Sequence, residues 1–175
     1  MSERAKREGW YWLSATVVFS SAFLLFQVQP LLSKHLLPYF GGSAAVWITA
    51  MLFFMTALAV GYGYALLLSV LSRRVQLLAH LGVLAAAAAV LSGQVQVWPA
   101  GIIPELTDWL FTGDPALDTL AILLTSVGVP FLVLAATSSL LQLWYGEHSG
   151  REPFSLYAIS NAGSLLGLIT YPFLL

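Results

Sequence analysis

The sequence predicts an all-α, polytopic helical membrane protein with about five transmembrane helices and its N-terminus inside. Three observations lead there. Of the 175 residues, 59% are hydrophobic and only 9% are charged, whereas a soluble domain carries about a quarter charged residues. The charges fall in clusters separated by uncharged runs long enough to cross a hydrocarbon core of about 30 Å. Those runs are continuous rather than alternating, which selects helices over barrel strands.

A short cytoplasmic tail, residues 1–9, is expected ahead of a single transmembrane domain over residues 10–175. The first span runs from about Trp10 to Leu37. Arg4, Lys6 and Arg7 precede it in the manner of a signal peptide, but the apolar run is too long and lacks a convincing cleavage site, so it reads as a retained helix. The second span, about Ala44 to Leu71, follows a Gly41-Gly42 turn in which the Ser43 hydroxyl is placed to cap the helix, giving a tight hairpin. The third, about Val75 to Gly93, is thinner in large side chains.

The longest polar stretch, Gln94 to Asp118, forms an outer loop. Within it Leu106, Trp109 and Leu110 recur at helical spacing, which fits either a short interfacial helix or an irregular loop anchored by its tryptophans. Asp114-Pro115 then opens the fourth span, about Pro115 to Trp144, since Asp favours a helix N-terminus and proline loses nothing at the first position. Pro130 inside that span is expected to bend it, as a packing adjustment rather than a hinge. Glu152-Pro153 opens the fifth span, about Phe154 to Leu175.

With the N-terminus inside, Arg4, Lys6, Arg7, Arg73, Arg74 and Arg151 fall on the cytoplasmic side and only Lys34 lies toward the outside, as the positive-inside rule requires. The same threading puts Glu105, Asp108, Asp114 and Asp118 in the outer loop, and Trp10, Tyr11, Trp12, Tyr39, Trp47, Trp98, Trp109 and Trp144 near the interfaces.

The search for chemistry is mostly negative. All the carboxylates lie at predicted edges or in loops, without the intramembrane acidic groups of proton-coupled transporters. The absence of cysteine excludes disulfides and thiolate sites. The three histidines lack metal-ligand spacing, and neither phosphate-binding nor hydrolase motifs occur. No metal, cofactor, catalytic residue or nucleic-acid partner is therefore expected. His80 is the one candidate cofactor ligand, beside the small residues Ala85 to Ala89, although a hydrogen-bonded histidine is the plainer reading. Gln27, Gln29, Gln142 and Asn161 are the expected intramembrane polar side chains, suited to interhelical hydrogen bonds or to lining a cavity. Gly163 with Gly167, and Ser160 with Ser164, form two small-residue pairs on which helices can approach closely.

Two long segments, FLLFQVQPLLSKHLLPYFGGSAAVWITAMLFFMTALAVGYGYA and SVGVPFLVLAATSSLLQLWYGEHSGREPFSLYAISNAGSLLGLITYPFLL, carry a resemblance. The sequence resembles the membrane-embedded N-terminal region of bacterial fused, multi-spanning spermidine-synthase-like proteins, from about Ala15 onward. GGSAAVW and LYAISNAGSLLGL are its most specific stretches. In that family further helices and an aminopropyltransferase-like domain follow; these 175 residues hold no such domain, so no catalytic residue carries over. The resemblance implies a bacterial cytoplasmic, that is inner, membrane. The expected function is a non-catalytic accessory or scaffold subunit whose partners are membrane lipids and other integral membrane proteins. The alternatives are a small-solute transporter or half-transporter, for instance of polyamine-like solutes, and a membrane anchor for a separate spermidine-synthase-like enzyme.

Overall fold

A computed structural model describes residues 3–97, 112–150 and 152–174. Five helices account for nearly all of it: α1 (Glu3–Phe40), α2 (Ala44–Ser69), α3 (Arg73–Val97), α4 (Pro115–Ser149) and α5 (Phe154–Leu174). Among the described residues there is no strand. Four of the helices are long and apolar enough to cross a membrane: Glu8–Phe40, Ala44–Ser69, Arg73–Gln96 and Pro115–Ser149. The fifth is helical over the expected range but is not among those four.

The helix ends follow local chemistry. α1 begins at Glu3, within the tail expected over residues 1–9; Glu, Arg, Ala and Lys are all strong helix formers and nothing between Glu3 and Glu8 breaks the run. With 38 residues, α1 is about 57 Å long, well beyond the hydrocarbon core. It ends at Gly41, whose φ of 72° is the left-handed conformation that glycine adopts without strain. Ser43 caps α2 as expected, its hydroxyl oxygen accepting from the Val46 N–H at 3.4 Å. Asp114 caps α4 by accepting from the N–H groups of Ala116 and Leu117. Pro130 sits within α4, which continues unbroken past it to Ser149. The expected interfacial element at Leu106, Trp109 and Leu110 lies outside the described residues.

Consecutive helices are not the ones that pack most. α1 and α2, α2 and α3, and α4 and α5 touch only lightly, whereas α1 packs on α5 and on α4, and α4 also supports α2 and α3. Apart from the α3–α4 pair, non-adjacent helices supply the interfaces. Chain direction alternates, so α5 runs parallel to α1 and α2 runs parallel to α4. Register confirms this: Gly163 and Gly167 meet Phe19 and Phe23 in order, and Gln27 then bonds Thr170.

The core lies along α4. Leu25, Leu32 and Leu36 of α1 and Phe53 and Phe54 of α2 meet Ile122, Leu123 and Phe131 of α4 in one cluster. Phe54 and Phe131 are in ring contact at 5.1 Å. At the other end Ala65 and Leu68 meet Ala136, Leu140 and Trp144. The outer faces of α2 and α3 are apolar and bare; Leu66, Leu67 and Leu78 are each about 70% exposed. A water-facing surface would not be built so, and lipid is the medium that such faces fit.

Asp118 departs from expectation. It was placed in the outer loop with the other acids, yet it belongs to the first turn of α4 and is 4% exposed. Its carboxylate accepts from the backbone N–H of Thr112 at 2.7 Å and from the Thr112 hydroxyl at 2.9 Å. The carboxylate folds the loop end back on the helix start, where the free N–H groups favour negative charge.

Candidate functional site

The polar side chains collect on two surfaces of α4. The first is a groove between α4 and α5, two helices that barely touch, with α1 as its floor and Tyr62 of α2 at one lip. Its volume is about 290 Å³. Gln142, 7% exposed on α4, donates from Nε2 to the Ser138 hydroxyl at 3.2 Å. Ser138 in turn shares a hydrogen bond of 3.3 Å with Ser160 on α5. Ser139, Tyr157, Asn161 and Ser164 complete the polar lining.

All these side chains are uncharged hydroxyls and amides, so the groove is equipped to donate and accept hydrogen bonds in place of water. Asn161 stands out among them. It is exposed and, among the described residues, makes no side-chain hydrogen bond. Seven residues into α5, it lies about 10 Å from the helix start.

The expected polar residues divide. Gln142 and Asn161 both line the groove. Gln27 is buried elsewhere and donates from Nε2 to Thr170 at 2.9 Å, tying α1 to α5. Gln29 is half-buried on α1, outside the groove lining. The small-residue pairs also divide. Gly163 and Gly167 are turned into α1, where a Cβ would come within 2.7 Å of the Phe19 and Phe23 carbonyl oxygens respectively. Ser160 and Ser164 face the groove, and Ser164 also donates to the Ser160 carbonyl. The glycine face is thus spent inside the chain, and only the serine face is open to a partner.

The second surface joins α3 to α4. His80, 4% exposed, has its Nε2 3.1 Å from the Thr137 hydroxyl. That hydroxyl donates its own proton to the Val133 carbonyl at 2.6 Å, so it can only accept from the ring. Nε2 is thus the ring nitrogen that donates to Thr137, and Nδ1 is buried and without a hydrogen-bond partner among the described residues. Nearby, Trp144 donates from Nε1 to Gln76 Oε1 at 2.7 Å, and Gln76 donates to the Leu71 carbonyl. The Arg73 guanidinium lies 4.3 Å from the centre of the Trp144 ring and 3.5 Å from Glu147. The candidate ligand His80 is thus one member of a helix-joining network, with no second histidine beside it; His35 and His148 belong to α1 and α4. Among the described residues no three His, Asp or Glu side chains gather as a metal site.

Gln76, Ser138 and Tyr62 were not singled out from sequence. Gln76 sits one turn inside α3, where the sequence suggested a span edge, and a serine or tyrosine in an apolar run gives no sign of which face it takes. Periodicity could have linked Ser138 to Gln142, four residues apart and hence on one helix face. No protein-family model, no curated protein and no solved structure matches this chain, so the groove and the α3–α4 network rest on the chain's own geometry.

Proposed function

We propose that this chain is a non-catalytic subunit of the bacterial cytoplasmic membrane, with its N-terminus inside, that receives a transmembrane helix of another membrane protein in the groove between α4 and α5. One observation carries the reading: Asn161, among the described residues, presents an unbonded amide in the groove beside the hydroxyls of Ser139, Ser160 and Ser164. A polar side chain on a neighbouring helix satisfies such a group, and interhelical hydrogen bonds of this kind hold membrane assemblies together. The N-inside threading is supported by Arg73 and Arg74, at the α3 start, being at the same end as Trp10 and Trp144.

The chain has no cysteine, so Asn161→Cys and Ser139→Cys each give a single labelling site for crosslinking in native membranes. A discrete adduct at these positions, absent from Leu78→Cys on the bare face of α3, is the expected result. Equal adducts at all three, or none, would overturn the reading. If the resemblance extends to function, a separate spermidine-synthase-like enzyme is one partner to seek in that adduct.

A second reading draws on the same lining. An uncharged groove of this size also suits a small polar solute, as in a half-transporter. Liposomes holding only this protein would then accumulate a polyamine or a related metabolite, which a scaffold would not do.

A further inference from the structure

A second opening lies on the other side of α4 and is independent of the groove. The backbones of α1 and α3 do not approach one another, and both flank α4. The cleft between them has a volume of about 230 Å³ and runs along α1 from Trp10 to Val17, about 10 Å of helix rise. Leu13 and Val17 form one wall, Leu84 the other, and Leu141 and Trp144 the floor. Its accessible lining is wholly apolar, which suits a hydrocarbon chain.

Its mouth is different. Trp10, at the outer limit of the cleft, has a buried indole N–H without a partner among the described residues. Trp144 holds the Arg73 guanidinium against its ring, and its own orientation is fixed by the bond to Gln76. Glu147 engages Arg73 through one long contact of 3.5 Å, which leaves most of the five guanidinium N–H donors of an arginine free. Arg74 beside it is exposed and has no ion pair among the described residues. An apolar slot in the bundle therefore ends beside Arg73, stacked on its Trp144 floor, with the exposed Arg74 next to it in the chain.

We infer that this cleft is a binding site for an anionic phospholipid, with one acyl chain entering between α1 and α3 and the phosphate at Arg73 and Arg74. Charge complementarity selects an anionic lipid over a zwitterionic one, because cations at a membrane surface each add an attraction that a neutral headgroup does not return. The His80–Thr137 bond, between two residues that line the slot, ties α3 to α4 beside it.

The test uses the full chain in nanodiscs of phosphatidylcholine with a minority of phosphatidylglycerol, followed by native mass spectrometry of the lipids retained on release. Phosphatidylglycerol is expected to be enriched about fivefold or more over its bulk share. The double change Arg73→Gln with Arg74→Gln should remove the preference. Leu84→Trp, which fills the slot at a 38% exposed position without touching a charge, should remove the retained lipid itself. Equal retention of both lipids by the unaltered protein overturns the inference, as does enrichment that survives either change. A polypeptide crosslinked at Leu84 in native membranes, in place of lipid, would also overturn it. Because the unaltered protein alone gives the first readout, misfolding of a variant does not leave the matter open.

Discussion

The seam between α1 and α5 and the seam between α3 and α4 solve one problem in opposite ways. In lipid, helices gain little from burying apolar side chains, so association needs close van der Waals packing or hydrogen bonds. α1 and α5 use the first. Gly163 and Gly167 bring the two backbones so near that even a methyl group would meet a carbonyl oxygen at 2.7 Å. α3 and α4 use the second, through His80 with Thr137 and Gln76 with Trp144. The first seam depends on what is missing from the side chains, the second on what they carry. One should fail abruptly under any addition, and the other should weaken in steps.

The largest expected effect tests the abrupt case. Gly167→Leu must push against the Phe23 carbonyl and Phe26, neither of which is the free end of a flexible side chain. Overpacking of this kind costs about 3 kcal/mol, and the same change at Gly163 should act alike. Thermal unfolding in mild detergent, with a disulfide probe between α1 and α5, reads both stability and detachment. Gly63→Leu serves as the contrast, since nothing stands near its Cβ direction. Equal losses at Gly63 and Gly167 would break the comparison.

A middle effect tests the stepwise seam. Gln76→Ala removes the acceptor of the Trp144 indole N–H and should cost about 1 kcal/mol, the upper part of the range for hydrogen bonds within membranes. The same variant should loosen the Arg73 stack on Trp144, visible as altered tryptophan emission. A loss as large as that of Gly167→Leu would show that α3 also depends on backbone contact.

The two seams were unequally visible in the sequence. Gly163 and Gly167 declared a close contact through their spacing alone, yet nothing in the chain named α1 as the partner, because Phe19 and Phe23 are some 144 residues away and every face of a membrane helix reads as apolar. In water, the polar face of an amphipathic helix marks its outside; in lipid that guide is lost. The five helices were readable for the same reason, since the apolar runs that obscure facing also mark the spans. Asp118 was misplaced because a carboxylate near a span edge reads as a loop residue until the bonds from Thr112 are seen. Part of the groove was visible in the sequence, Gln142 and Asn161 as polar letters in apolar runs and Ser160 and Ser164 as a small-residue pair, while Ser138 and Tyr62 became part of it only once α4 and α5 stood apart.

The smallest expected effect separates the two modes most cleanly. Each seam contains one hydrogen bond to a threonine hydroxyl: Gln27 donates to Thr170 in the first, and His80 donates to Thr137 in the second. Each hydroxyl also donates to its own helix, Thr170 to the Leu166 carbonyl and Thr137 to the Val133 carbonyl. Thr170→Val and Thr137→Val are therefore the same chemical deletion in two settings, each expected to cost about 0.6 kcal/mol. If the glycine contact alone holds α5, the first change should not add to Gly167→Leu, because the detached helix has already lost that bond. Thr137→Val should instead add fully to Gly167→Leu, since the two seams share no side chain and sites without shared partners behave independently. A double-mutant cycle in thermal unfolding measures both couplings. Additivity in the first pair and coupling in the second would reverse the assignment, making the polar bond and not the backbone approach the tie between α1 and α5.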